Sequence, residues 1–262
     1  MDYKSIDIDY ESEELNDLVF GLIRSASSCD QRALDDLETL MNRVIRKIRA
    51  DELEPMEVET FIDLEDELSL ILNDTGFRSE DAGPNATNCE RLLEIVYKKL
   101  VPFNENFEVV LALNPFLPGA IVEKLIKSEF YWEEDGTTQA LARATSNPAI
   151  LQKLSKSKNN STRYEVAANP SCPSDILEKL AHDVEISDSF WYCNNGMESF
   201  IQVAVVRNIN TPRQVIEGFL TEKYFFSEQD FIKSHGWSLV SDGGLLELRT
   251  LLAKEASIRL KQ

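Results

Sequence analysis

One phrase recurs between residues 107 and 220, and it limits what this chain can fold into more tightly than any other feature. FEVVLALNPFLPGAIVEKL spans 107–125, STRYEVAANPSCPSDILEKLAHD spans 161–183 and FIQVAVVRNINTPRQVIEGFL spans 200–220. A shortened copy, QALARATSNPAILQKLSKS, spans 139–157. The shared pattern is a small or aliphatic run, an asparagine, usually a proline, two residues, a second proline, two residues, an aliphatic pair, two residues and then Leu or Phe. Val109, Val110 and Ala112, or Val166 and Ala167, give a first helix its inward face. Asn114, Asn147, Asn169 and Asn208 then meet its end. Asparagine tolerates left-handed backbone and its amide bonds nearby backbone groups, so it is expected to turn the chain there. Pro115, Pro148 and Pro170 forbid continuation of the helix. Pro118, Pro173 and Pro212 are expected at the first position of the next helix, with Thr211 as the N-cap of the last one. In the shortened copy, Asn147 is expected to cap the second helix directly, with Pro148 opening it.

The second helices present Ile121 and Leu125, then Ile176, Leu177 and Leu180, then Val215, Ile216 and Phe219. One such helix pair cannot hide its apolar side. Burying a Leu or Ile is worth about 1.5–3 kcal/mol, while ordering each residue costs about 1–2 kcal/mol. A solitary pair with three or four anchors is marginal, and neighbouring pairs must share a core. The intervals between successive asparagines are 33, 22 and 39 residues. The longer intervals hold EFYWEEDGTTQ (129–139) and VEISDSFWYCNNG (184–196), which are expected to project as loops from one face.

The third copy resembles the unit of the bacterial leucine-rich-repeat variant family. Arg163, Val166, Ala167, Asn169, Pro170, Pro173, Ile176, Leu177, Leu180, Ala181 and Asp183 stand where that unit has its characteristic residues. The first copy is similar from Ala112 through Leu125. The fourth agrees at Asn208, Pro212, Val215, Ile216 and Phe219 but has Ile209 in place of a proline. The resemblance covers about residues 105–220 and is weak in the second copy. It implies an all-α, right-handed helical-repeat solenoid, HEAT-like, built from alternating α- and 3₁₀-type helices. Some members carry a cysteine-ligated iron–sulfur domain. Only Cys29 and Cys89 precede the repeats here, so that cluster does not carry over and no cofactor is expected.

The flanking segments complete the expected architecture: an acidic N-terminal helical region (1–82), irregular repeats (83–220) and a C-terminal cap (221–262). Residues 12–27 read as a helix capped by Ser12, with Leu15, Leu18, Val19 and Leu22 on one face. Residues 30–50 read as a second, with Leu34, Leu37, Leu40, Met41, Val44, Ile45 and Ile48 as its stripe. Pro55 is expected to open a third, a loop with Gly76, Gly83 and Pro84 to follow, and a further helix to cover 89–100. Tyr224, Phe225, Phe226, Phe231 and Trp237 are expected to cover the end of the stack, and residues 245–260 to form a closing helix.

Charge narrows the partner class. The chain carries 46 acidic and 27 basic residues, a formal net charge of -19, and residues 1–100 hold 25 of the acidic but only 11 of the basic side chains. Such a field repels phosphate backbones and attracts basic surfaces, so direct nucleic-acid binding is not expected; many acidic proteins owe the same balance to solubility alone. The four cysteines form no CxxC pair, which fits free thiols and a cytoplasmic location. The first residues lack the basic and apolar regions of a secretory leader, and no apolar run approaches membrane-spanning length.

Catalytic chemistry is hard to assemble. The two histidines, His182 and His235, have no recognisable nucleophile or metal-binding motif around them, and the carboxylates at Glu57, Glu59, Asp63, Glu65, Asp66 and Glu67 lack a calcium-loop pattern. No catalytic residue and no metal ligand is assigned. The candidate partner-binding surface lies in the two inserts: Phe130, Tyr131, Trp132, Glu133, Glu134 and Asp135 in the first, and Glu185, Asp188, Phe190, Trp191 and Tyr192 in the second. Exposed aromatics anchor interfaces, and adjacent carboxylates suit a protein with a basic surface; the alternative is that both triplets pack beneath their own loops. Three functions follow. The first is a non-catalytic protein-binding scaffold or adaptor. The second is an inhibitor or immunity-type protein that mimics nucleic-acid charge. The third is an enzyme with an unrecognised carboxylate site. The repeat reading makes a direct prediction. Ile176→Asp puts a carboxylate into the shared core and should cost about 4 kcal/mol or more; an unchanged melting temperature would place Ile176 on the surface instead.

Overall fold

A computed structural model describes residues 13–49, 68, 71–72, 87–102, 105–128, 131–132, 135–183, 185, 199–221, 223–225, 227, 229 and 244–262. Expectations that fall on Ser12, on the Gly76–Gly83–Pro84 loop and on Phe226, Phe231, His235 and Trp237 lie outside those residues, as does most of the helix opened by Pro55, of which Leu68, Ile71 and Leu72 are described and helical, with Leu68 and Leu72 buried. Contacts divide the chain into two compact units, Met1–Ala144 and Thr145–Gln262.

In the first unit, α1 (Glu13–Ala26) packs on α2 (Gln31–Arg49). The sequence stripes are the packed faces: Val19, Leu22, Ile23 and Ala26 are buried on α1, and Leu34, Leu37, Leu40, Met41 and Val44 on α2. Asp30 caps α2, its carboxylate accepting from Arg32 N at 2.8 Å and Ala33 N at 3.2 Å. Between the helices the chain turns through Cys29, whose φ of 60° is left-handed; a residue with a β-carbon accepts that geometry at a cost of about 1 kcal/mol. Residues 90–100 are helical as expected, but not uniformly. Helix α3 (Glu90–Ile95) widens into a π turn over Val96–Leu100, closed by Val101 N donating to Val96 O at 3.2 Å.

Helices α4 (Asn106–Ala112) and α5 (Gly119–Leu125) flank the first asparagine–proline corner. The 129–139 insert is shorter than the sequence suggests. A two-residue antiparallel hairpin, β1 (Tyr131–Trp132) with β2 (Asp135–Gly136), leads straight into α6 (Thr137–Ala144), so Thr137 and Gln139 already belong to a helix. Helix α6 packs beside α4, a neighbour across the intervening α5.

The second unit contains α7 (Pro148–Leu154), α8 (Asn160–Ala168), α9 (Ser174–Leu180), α10 (Ile201–Arg207), α11 (Arg213–Leu220) and α12 (Gly244–Arg259). Again the first helices of successive pairs lie together: α8 packs on α10, and α10 on α12, which also covers α11 through its buried Leu248, Leu252 and Ala256. Both members of the pairs α4–α5 and α8–α9 are α-helices. Bonds of the 3₁₀ kind occur at helix ends, in first helices (Asn114 N to Leu111 O) as in second ones (Ile176 N to Pro173 O), so the alternation that the resemblance implies is not seen there. The described structure is therefore all-α apart from the small hairpin, with contacts between non-adjacent helices that give a repeat-like packing. No helix among the described residues is long and apolar enough to cross a membrane.

The corners work differently from the expectation. Asn169 (φ -63°, ψ 122°) and Asn208 (φ -66°, ψ 132°) are extended, not left-handed. Their side chains do the turning and the linking. Asn114, Asn169 and Asn208 are buried, and each side-chain oxygen accepts from the amide two residues on: Phe116 N at 2.8 Å, Ser171 N at 2.7 Å and Asn210 N at 2.9 Å. Each amide nitrogen reaches back to carbonyls earlier in the chain. Asn208 donates to Ala167 O and Asn169 O, both at 2.7 Å; Asn169 donates to Thr145 O at 2.9 Å; Asn114 donates to Leu72 O at 2.6 Å and Thr87 O at 3.1 Å. Ala167 stands two residues before Asn169 as Thr145 stands two before Asn147, so two successive corners repeat the same rung. At the end, Arg259 takes the place of a further asparagine, donating to Asn208 O and Ile209 O at 3.2 Å.

Two further corrections concern the prolines and Thr211. Pro118, Pro173 and Pro212 are N-caps, one residue before the helix, with ψ of 136–145°. Their carbonyls receive the first helical amides, and an extended cap suits a residue whose φ is fixed and which lacks an N–H. Thr211 caps nothing; it is buried and its hydroxyl donates to Val205 O. In the shortened copy, Asn147 is the N-cap, accepting from Ala149 N at 3.0 Å, and Pro148 opens the helix, as the spacing indicates. Asn208→Ala strands two buried carbonyls and should cost about 2–4 kcal/mol, whereas Asn147→Ala removes only an exposed cap and should cost about 1 kcal/mol. Urea denaturation of the two variants measures the difference, and equal losses would show that the rungs add nothing.

Candidate functional site

The features that could meet a partner are the inserts, and the described residues define how each one is held. The first insert leaves α5 and returns to α6 beside Glu108, which projects from α4. The Glu108 carboxylate accepts from the hydroxyl of Ser128, where the insert departs, and from Thr137 Oγ1 at 3.3 Å, where it returns. The Gln139 side chain accepts from Gly136 N, and β1 packs on α4. One carboxylate thus gathers both ends of the segment. The hydroxyls donate and the carboxylate accepts.

Glu108 also lines a notch of about 410 Å³ together with Tyr97, Lys98, Glu105 and Lys124. Lys124 Nζ sits 4.9 Å from the centre of the Tyr97 ring. Burial, and then the negative charge of Glu108, raise the pKa of the Tyr97 hydroxyl above its ordinary value. Lys98 is paired with Glu94 on the same helical stretch. The notch therefore offers charges of both signs around one phenol.

The second insert, in the other unit, departs after Asp183. Arg163 on α8 grips that carboxylate with two nitrogens, Nε to Oδ2 at 2.6 Å and Nη2 to Oδ1 at 3.4 Å, while its Nη1 donates to Ser157 O at 2.8 Å and Lys158 O at 3.2 Å. The side chains of the pair are only 13% and 16% exposed. Asp183 Oδ1 also accepts from Glu185 N at 3.2 Å, and Glu185 O accepts from Ile201 N at 3.2 Å where the chain re-enters α10. Beneath it, the buried Gln202 amide donates to Ala181 O at 2.7 Å and Tyr224 O at 3.0 Å. His182 is exposed and lies edge-on to Tyr224, ring centres 4.8 Å apart.

Of the candidate partner-binding residues, Tyr131, Trp132 and Asp135 form the hairpin strands, and Glu185 is half-buried at the base of the second insert. Phe130, Glu133, Glu134, Asp188, Phe190, Trp191 and Tyr192 lie outside the described residues. Sequence reasoning missed the anchors. Glu108 carries no motif, and its partners stand 20 and 29 positions away. Arg163 and Asp183 did stand out in the repeat phrase, but spacing gave no sign that they join. Among the described residues, no group of three or more His, Cys, Asp or Glu is placed to hold a metal ion. Cys172, buried in the third corner, has its thiol pushed up to about 12 by burial and then by Asp175, which suppresses the nucleophilic thiolate.

No protein-family model, curated protein or solved structure matches the chain.

The notch yields a pH prediction. Glu108→Gln removes the charge that helps raise the Tyr97 pKa, so the Tyr97 midpoint should fall while burial keeps it above the ordinary value. NMR of ring-labelled tyrosine reads this directly, and an unmoved midpoint would mean that Glu108 does not face the phenol.

Proposed function

We propose that the chain is a non-catalytic protein-binding scaffold or adaptor, which uses two acidic, aromatic-bearing inserts to hold a protein partner with a basic surface. The observation that supports this reading is the tethering of both insert bases: Glu108 gathers Ser128 and Thr137, while Arg163, Asp183 and Glu185 hold the second. A loop fixed at both ends gives up less freedom on binding than a free one. The residues between those ends include Phe130, Tyr131 and Trp132, and Phe190, Trp191 and Tyr192. These types anchor interfaces, and Glu133, Glu134 and Asp188 beside them favour arginine- and lysine-rich surfaces. Helical repeats of the leucine-rich-repeat variant kind are the scaffold in this proposal. The repeated rungs from Asn169 to Thr145 and from Asn208 to Ala167 support that assignment, because they make corners of neighbouring pairs equivalent.

The test uses the full chain immobilised for affinity capture, beside a Trp132→Ala/Trp191→Ala variant that retains the parent's helical spectrum. The parent should retain a defined set of basic proteins that the variant loses, with capture weakening as salt rises. Capture that survives loss of both tryptophans but disappears in high salt would point to charge mimicry instead.

A further inference from the structure

Cys29 and Cys89 are remote in the sequence and meet in the fold. The α1–α2 turn lies against the segment that opens α3: Thr87 Oγ1 donates to Ser27 O at 3.1 Å and accepts from Cys89 N at 3.3 Å. Thr87 therefore ties together the two short stretches that carry the cysteines. Cys89 is the N-cap of α3 and is buried, 2% exposed; Cys29 is exposed, and both are free thiols. The Cys89 side chain is also the neighbour that most perturbs the Cys29 thiol.

The backbone makes the pairing more pointed. Cys29 has a φ of 60°, a region where glycine or asparagine sits more comfortably. A cysteine nevertheless occupies this turn, beside the segment that carries the other thiol. One sulfur is open to a reagent from solvent; the other is shielded from it but within reach of the first. That division of exposure suits an attacking thiol and a resolving thiol.

We propose that Cys29 and Cys89 form a reversible dithiol–disulfide site that reacts with small disulfides of the glutathione type, Cys29 attacking and Cys89 resolving. In the first step, the Cys29 thiolate forms a bond to one sulfur of the reagent. The reagent's S–S bond breaks and one glutathione thiolate leaves. In the second step, the Cys89 thiolate attacks the Cys29 sulfur of the mixed disulfide and expels the second glutathione thiolate. The protons lost by the two cysteines go to the two leaving thiolates through solvent. Two protein thiols are oxidised by two electrons, and one small disulfide is reduced to two thiols. Reduced glutathione in excess reverses both steps.

The contact with Cys89, followed by desolvation and the Cys89 charge, pushes the Cys29 thiol up to about 11. Little thiolate is present at neutral pH, so the dithiol resists casual oxidation. The rate of the first step should climb about tenfold per pH unit on the approach to that value.

The experiment incubates the reduced full-length chain with glutathione disulfide at several pH values, quenches in acid and reads intact mass and a non-reducing peptide map. The expected product is lighter by two hydrogens, holds no glutathione and contains a peptide joining Cys29 to Cys89. Cys89→Ser should stop at a glutathione adduct on Cys29, and Cys29→Ser should give neither adduct nor bridge at Cys89. Cys89→Ala serves beside Cys89→Ser, and the one that keeps the parent's helical spectrum is used. If neither keeps it, the map of the parent chain decides alone. A lasting glutathione adduct on the parent, no reaction at high pH, a rate flat with pH, or a bridge to Cys172 or Cys193 would each overturn the proposal.

Discussion

A buried amide that answers carbonyls of an earlier turn of the chain is the interaction on which the helix pairs depend. Helices of seven to nine residues, such as α8 and α9, do not persist alone. Their ends leave backbone groups without intrahelical partners, and in the corners those groups face the interior. Asn208 addresses this with one side chain. Its oxygen receives the amide of Asn210, and its nitrogen serves Ala167 O and Asn169 O. A hydroxyl is too short and has too few donors for this combination, and an ionised carboxyl has no donor at all. Asparagine suits the corner because it can turn its own chain and hold the preceding one at the same time.

Around those rungs the apolar contacts fall into place. Val166 and Ala167 on α8, and Val203, Ala204, Val205 and Val206 on α10, are fully or almost fully buried. Small and branched residues let first helices lie close to one another, and the second helices bring Leu177, Leu180, Ile216 and Phe219 to the same interior. Gly218 contributes by having no side chain: a β-carbon there would come within 2.3 Å of the Tyr224 ring. That ring also meets Phe219 and His182.

Much of this was legible in the sequence because it is local. The faces of α1, α2 and the paired helices follow from spacing, and the recurring phrase marks the corners at Asn114, Asn147, Asn169 and Asn208. The roles inside the corners were misread because their partners are distant: Asn208 bonds 39 and 41 positions back, and Asn114 bonds 42 positions back. Left-handed geometry was the local explanation for asparagine, and a tertiary bond replaced it. The prolines were misplaced by one residue because a cap and a first turn accept the same fixed φ and differ only in ψ. For the inserts, composition revealed the aromatic and acidic cargo but not Glu108 or the Arg163–Asp183 grip. The meeting of Cys29 with Cys89 left no trace in spacing, since it depends on Thr87 reaching Ser27.

Arg259 gives the second unit a terminus in the strict sense. Left without a partner, the two carbonyls after the last corner would need water or another donor. The guanidinium of Arg259 occupies Asn208 O and Ile209 O from within. Its planar fork supplies donors as the asparagine amide does, yet offers no acceptor for a following turn.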